Sequence, residues 1–495
     1  MVSFNNIPES VRVPLFYAEV DNSQAFQFQQ SYATLIVGQR LNATADNINK
    51  VVAISSSEIA REEFGASSQI AKMVEAYRRN DPFTTLYCLP LEDGAGAAAT
   101  GSFAITGTAT EAGTLSVYIA GERIQITVLV GEDANTVASN LKDELDGVAG
   151  LQVSAAVTSG TVTVTALHAG AAGNDLDLRM NYYGLLGGEK TPAGLSVAVT
   201  AMTGGTGQPD LSTALDNMGD EPYDYIIQPY TDTGSLNAFQ ELMNDVEGRW
   251  AYSRQIYGHV FSSWTDTSDT LVAAGKLRND PHMSILGYHD SPTSPWEAAA
   301  MFGAQAAKSL SIDPARPLQT LPMIGFMAPP VESRYKHNQR NDLLLNGVAT
   351  TYVEGGYVRL ERSITTYQEN AFGSDDTSFL DIQTLATLAY VMRFLRARIT
   401  QKFPRHKLAD NGTRFGAGQA IVTPNIIRSE LVASYTELEA EGLVENIKAF
   451  KENLIVERDA NDPNRLNVVF PPDLVNQLRV FAVLAQFRLQ YSNVA

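Results

Sequence analysis

Apolar positions along this chain recur with two periods, and the alternation between them lays out an α/β protein. Residues 32–38 (Tyr32-Ala33-Thr34-Leu35-Ile36-Val37-Gly38) form a near-continuous apolar run, as a strand covered on both faces requires. Serines at 55–57 then open a helical pattern. A second helix over 68–79 places Ile70, Met73, Val74 and Tyr77 on one face, and Asp81-Pro82 stops it. Residues 84–90 read as another buried strand. Cys88 lies inside it, so it reads as core rather than as a nucleophile.

The pattern changes at Gly94-Ala95-Gly96-Ala97-Ala98-Ala99-Thr100-Gly101, a small-residue linker. Alternating strands follow over 114–120 and 123–130, then a helix over 135–145 with Val137, Leu141 and Leu145 inward. A hairpin over 151–157 and 161–167 turns at Thr158-Ser159-Gly160, and strands over 176–180 and 195–201 complete the set. Gly204-Gly205-Thr206-Gly207 is the exit linker. Residues 94–207 therefore read as a β-rich module inserted between 31–93 and 208–345, two parts of one α/β core.

In the second core part, helices are expected over 211–218, 236–252 and 295–309, and strands over 223–229, 255–261 and 282–287. Residues 346–475 read as a further α+β domain. It begins with a β-hairpin turning at Gly355-Gly356, then a long helix over 379–400 whose end carries Arg393, Arg396 and Arg398. A helix opened by Thr423-Pro424 is expected to run to Ala440 and on toward Phe450. Strands over 454–458 and 465–470 flank a polar turn. A long final strand over 478–491 places Phe481, Val483, Ala485, Phe487, Leu489 and Tyr491 on one face, and residues 476–495 read as a C-terminal arm. At the other end, within residues 1–30, Val11, Val13, Leu15 and Tyr17 alternate around Pro14. This reads as an extended N-terminal arm, or as an edge strand packed on its own domain.

Charge and chemistry narrow the function class. The net charge of −19 opposes non-specific binding to nucleic acid or to an anionic membrane, though Arg334 to Arg340 makes a local basic patch. One cysteine allows no intrachain disulfide. The first residues lack a basic stretch followed by an apolar one, so no secretory signal is expected, and no apolar run suggests a membrane span. No HExxH, GxSxG or GxxxxGK[ST] motif occurs. His282, His289 and Asp290 are conceivable metal ligands but read more simply as polar strand ends. Asp375, Asp376 and Asp381 fit a helix N-terminus, and Glu437, Glu439, Glu441 and Glu445 a solvated helix face. No catalytic residue, cofactor site or metal site is expected. The remaining enzyme reading is an acidic α/β hydrolase or transferase with an inserted β domain. A carbohydrate-binding cell-surface protein would need the secretory signal that is not seen.

The order of parts, together with particular residues, resembles the contractile-tail sheath proteins of bacteriophages, and of Mu-like phages in particular. The residues that carry the resemblance are Asn5-Asn6-Ile7-Pro8 with 11–19, the hairpin over 346–367, and 381–398 with Lys402-Phe403-Pro404-Arg405. It departs at Arg362-Ser363, where many relatives carry Arg-Thr. The resemblance implies a virion protein assembled in the host cytoplasm. Copies would stack as rings around an inner tail tube, bounded by baseplate and tail terminator proteins, and contract to drive the tube through the host envelope. It also implies that terminal strands are exchanged between copies. The residues expected to take part are Val11, Val13, Leu15 and Tyr17, then Leu454, Val456, Leu466, Val468 and Phe470, then Phe481, Val483, Phe487 and Leu489.

Overall fold

A computed structural model describes residues 12–14, 16–18, 30–42, 47–416 and 418–489. The chain divides into two compact units. One comprises residues 29–313 and 318–389, the other residues 1–28, 314–317 and 390–495.

The larger unit opens with β1 (Ala33–Gln39), β2 (Val52–Ala53), α1 (Ser57–Phe64), α2 (Gln69–Asn80) and β3 (Thr85–Leu91). Ser56 and Ser68 cap the two helices, their hydroxyls accepting from Ile59 N and Ala71 N. The insert follows with β4 (Ala98–Gly107), β5 (Gly113–Ile119), β6 (Glu122–Val128), α3 (Ala134–Gly147), β7 (Val153–Thr158), β8 (Thr161–Ala169), β9 (Leu178–Met180) and β10 (Leu195–Thr203). The unit then continues through α4 (Ser212–Asp216), β11 (Tyr225–Ile227), α5 (Thr233–Met243), β12 (His259–Thr265), α6 (Ser268–Gly275), β13 (Met283–Tyr288), α7 (Pro295–Leu310), α8 (His337–Leu345), β14 (Val348–Glu354) and β15 (Tyr357–Arg362).

Eight of these strands form one sheet in the order β15-β14-β13-β12-β11-β1-β3-β2. The six from β14 to β3 are parallel, and each edge strand is antiparallel to its neighbour. Successive residues of β1 serve opposite faces. Ile36 belongs to one buried cluster with α2 and α7, whereas Leu35 and Val37 belong to another with α4 and α5. Covering both faces is why that strand reads as an unbroken apolar run. Cys88 is completely buried in β3, and burial pushes its thiol pKa far above the ordinary range, which leaves it chemically inert.

The insert holds two sheets, β10-β4-β8-β7 and β6-β5-β9, with α3 against the first. Its tight turn at Ser159-Gly160 has positive φ at both residues (44° and 77°), as a two-residue hairpin loop requires. The sequence hides β4. Read as linker up to Gly101, it is a ten-residue strand whose glycines and alanines fit a crowded position: a Cβ on Gly101 would lie 2.6 Å from Leu178 and 2.9 Å from Met202. The two passages into and out of the insert lie against each other. A Cβ on Gly94 would sit 2.0 Å from Gln208 O, and one on Gly96 1.8 Å from Thr206 O. Ala97 N donates to Thr206 Oγ1 and Thr206 N to Ala97 O.

The insert is also docked on the core that it interrupts. Gln69 N, at the start of α2, donates to His168 Nε2 (3.1 Å), so Nδ1 carries the proton and donates to Asp93 Oδ1 (2.7 Å). Arg179 of β9 reaches Asp290 (3.1 Å), and Tyr182 OH donates to Ala328 O (2.8 Å).

In the second unit the chain forms the C-terminal part of α9 (Ile382–Lys402), then β16 (Lys407–Leu408), β17 (Ile421–Val422), α10 (Pro424–Ala440), β18 (Val444–Glu445), α11 (Ile447–Asn453), β19 (Ile455–Arg458), β20 (Leu466–Val469) and β21 (Asp473–Leu474). Ile427, Leu431, Ser434, Tyr435 and Leu438 make one buried stripe along α10. Four expectations need correction. Helix α10 does not run on toward Phe450, because Gly442 (φ 76°) takes the left-handed position and Leu443 N turns back to Leu438 O. Helix α5 begins earlier, on its Asp232 cap, and ends at Met243. Arg398 does not merely complement a helix end; it is buried in an ion-pair network. The final strand over 478–491 is not formed through Leu489. Among the described residues no ladder is assigned over 478–489, and alternation of apolar and polar side chains does not by itself make one.

Candidate assembly interface

The C-terminal unit builds a platform for a short hairpin and for the tail that follows it. At its centre Tyr435 of α10 stacks on Phe450 of α11 (centroids 3.8 Å apart, planes at 12°), and Phe470 meets Phe450 edge-on at 4.9 Å. The Tyr435 hydroxyl donates to Glu445 O (2.5 Å) and accepts from Asp473 N (3.2 Å). Those are the partnered residues of β18 and β21, so this one buried oxygen ties down the root of the tail. Tyr435→Phe should cost the unit about 1–2 kcal/mol, read as a lower thermal midpoint and faster exchange of the Asp473 amide.

Helices α9 and α10 are clipped together by charge. Arg398 makes a 2.5 Å bond to Glu430 and two bonds of 2.9 and 2.8 Å to Glu437, and Lys402 adds a 2.9 Å bond to Glu430. Burial alone would push the Glu430 carboxyl up, but the bonds from Arg398 and Lys402 outweigh it and hold its pKa below the ordinary value. Glu439 accepts from Ile447 N, and Glu441 accepts from Tyr390 OH. Three of the four glutamates expected on a solvated face are thus engaged.

The hairpin β19–β20 is antiparallel, pairing Ile455 with Val469 and Arg458 with Leu466. Its turn is pinned by Asp459, whose carboxylate accepts from Asn461 N, Asp462 N and the Asn467 side chain. These bonds, the Asn467 one foremost, lower the Asp459 pKa to about 2. A depressed carboxylate stabilises fully above the unfolded value near 4 and stops doing so as pH falls through the folded value. Amide protection in residues 455–469 should therefore hold at pH 5 and decline between about pH 4 and pH 2, and Asp459→Asn should remove that pH dependence.

The residues expected to take part in exchange fall into three groups. Leu454 is buried (2% exposed), and Val456, Leu466 and Phe470 pack against the same core, so they hold the hairpin to its own unit. Val468 is exposed, as are Ile455 and Val469, and among the described residues each strand of the pair has one open edge. Phe481, Val483, Phe487 and Leu489 lie in a segment without strand pairing, at 81%, 69%, 84% and 96% exposure. Val13 and Tyr17 are exposed as well, and Val11 and Leu15 lie outside the described residues.

The other candidate groups have local roles. His282 stacks on Trp250 and bonds Asp245, and His289 stacks on Tyr335. Asp290 takes Arg179 and Ser333. Among the described residues, no group of three or more His, Cys, Asp or Glu is placed to hold a metal ion. Asp381 pairs with Arg362 through bonds of 3.1 and 2.9 Å, so the arginine keeps a partner although Ser363 follows it. The Ser363 hydroxyl itself is buried without a hydrogen bond.

Charge is divided unevenly along the chain, over a span too long for any short motif to mark. Residues 390–495 hold fourteen Lys and Arg against eleven Asp and Glu, a net +3, whereas residues 1–389 carry −22. Arg396, Arg405, Lys407 and Arg414 are exposed within that segment.

Residues 204–366 match the phage tail sheath protein central domain, and residues 374–488 match the phage tail sheath C-terminal domain. The chain is 43% identical over 492 residues to the Mu-like prophage FluMu tail sheath protein of Haemophilus influenzae, covering 99% of this chain and all of that one. The chain belongs to the phage tail sheath family. Solved structures similar to it include the sheath tail protein of Desulfitobacterium hafniense (13% identity, TM-score 0.47, 94% of this chain and 100% of that one). Another is the anti-feeding prophage helical sheath in its contracted state (11%, 0.48, 97% and 100%). Strands β4 to β10 of the insert lie outside both matched domains of this tail sheath protein.

Proposed function

We propose that this tail sheath protein is the non-enzymatic subunit of a contractile sleeve. Copies stack as rings around an inner tail tube, between baseplate and terminator proteins, and the sleeve shortens to push the tube through the host envelope during genome delivery. The observation that carries this reading is the segment after β21. Val480, Phe481, Val483, Leu484, Phe487 and Leu489 are all exposed and lie in no strand. Water disfavours such a display, and a neighbour's sheet edge relieves it through main-chain bonds. The N-terminal segment around Val13 and Tyr17 offers a second arm of the same kind. Main-chain links of this sort hold while subunits rotate, because the chain between strand and domain absorbs the movement. Head-to-tail links also generate open helical assemblies. The exposed arginines and lysine of residues 396–414 suit a face that meets an acidic surface.

Electron microscopy of the purified chain tests the reading. Axially striated tubes are expected; a discrete particle with catalytic turnover would instead favour the hydrolase or transferase alternative.

A further inference from the structure

We infer that the insert joins neighbouring copies edge to edge, β10 of one copy pairing with β7 of the next, so that one sheet runs from subunit to subunit. This rests on the reading that copies assemble, and it concerns the part of the chain outside both matched family domains.

The first observation is the absence of charge. Strands β4, β7, β8 and β10 hold 34 residues and not one Asp, Glu, Lys or Arg. At the chain's 18% charged content about six would be expected. Exposed strand edges are normally defended by lysine, proline, a bulge or a cover, because their open backbone groups recruit other strands. Elsewhere in the larger unit this chain defends edges in that way. Segment 320–323 covers β15, through Thr320 N to Leu360 O and Met323 N to Val358 O. In the second insert sheet the edge strand β6 carries Glu122 and Arg123, and β9 carries Arg179. Among the described residues, strands β7 (Val153-Ser154-Ala155-Ala156-Val157-Thr158) and β10 have no second strand neighbour and no such defence over their regular lengths.

The second observation is that the two edges fit each other. Every neighbouring pair in the sheet is antiparallel. With four strands, the outermost two therefore run in opposite directions. A copy shifted in the plane of the sheet brings its β10 antiparallel to β7 without any rotation, and the same step repeats indefinitely. The lengths match as well. Strand β10 keeps a regular register with β4 from Leu195 to Thr200, where an irregularity begins, and β7 spans six residues. The faces agree too. Val197 and Val199 of β10 lie on the face of Ile105 and Phe103, and Val157 of β7 lies on that same face opposite Val162. Val199 is 37% exposed although Phe103 beside it is completely buried, which is what an inward residue at an uncovered edge shows. On the outer face Ser196, Ala198, Ser154 and Ala156 are small and present no obstacle.

Disulfide trapping in the full-length polymer tests this. Cys88 is completely buried, so the background is quiet. Ala156→Cys is combined in turn with Ser196→Cys, Ala198→Cys or Thr200→Cys, to cover neighbouring registers. The assembled tubes are oxidised, then alkylated and run on a denaturing gel. At least one double variant should give a ladder of dimers, trimers and higher multimers, and every single variant should remain monomeric. Tubes that form normally while no double variant gives a ladder would overturn the edge pairing and leave the sheath reading intact. Dimers from a single variant would replace it with a like-to-like contact. If the unaltered chain makes no tubes, the sheath reading falls and the pairing falls with it.

Discussion

A chain lacking residues 476–495 is expected to fold and to remain a monomer. The described side chains lost are mostly solvent-exposed, and the fixed part of the C-terminal unit ends before them: Val475 N still bonds Leu443 O, and β21 still pairs with β18. Far-ultraviolet circular dichroism and the thermal midpoint should change little, while sedimentation and electron microscopy should show complete loss of tubes. Deleting residues 1–22 should have the same effect. Normal tubes from both truncations would remove strand exchange as the link between copies.

The second large effect is expected at Glu430. Its carboxylate faces two cations, Arg398 and Lys402, and both pairs are well shielded, with side-chain exposures of 4%, 12% and 13% for Arg398, Glu430 and Lys402. Glu430→Ala takes the shielded carboxylate away from a buried guanidinium and leaves it the half-exposed Glu437. Breaking a buried pair on one side costs about 3–5 kcal/mol, enough to unfold much of a marginally stable unit at room temperature. The combined change Arg398→Met with Glu430→Met removes both charges, so it should recover most of that loss. A denaturant melt of the three proteins decides the matter. A double variant no better than Glu430→Ala would mean that the site depends on its geometry rather than on the unpaired charge.

The sequence made some parts of this architecture plain and hid others for identifiable reasons. The doubly covered strand at Leu35, Ile36 and Val37 was legible because burial on both faces leaves no room for polar residues. The hairpin at Gly355-Gly356 was legible because both residues need positive φ (59° and 83°). Strand β4 was hidden, since close packing against Leu178 and Met202 selects the small residues that also mark linkers. The alternation over 478–491 was legible, but alternation reports only what a segment would bury if paired, and no strand is assigned over 478–489. Among the residues proposed for exchange, Phe481 and Leu454 look alike in sequence. Only the fold separates an exposed side chain from one that holds the platform together. The engagement of Glu437 and Glu441 was missed because their partners, Arg398 and Tyr390, lie 39 and 51 residues away, on another helix.

The stem of the insert has a consequence for how such a protein can vary. Two strands of backbone enter and leave through one narrow doorway, with Gly94 against Gln208 and Gly96 against Thr206. Seen from the core, the hundred residues beyond that doorway amount to a short loop between β3 and the α4–β11 segment. A lineage can therefore exchange the whole module for another of any size, or a laboratory can graft a reporter there, and the order of the eight-stranded sheet need not change. The module becomes free to diversify while the core that it interrupts stays fixed.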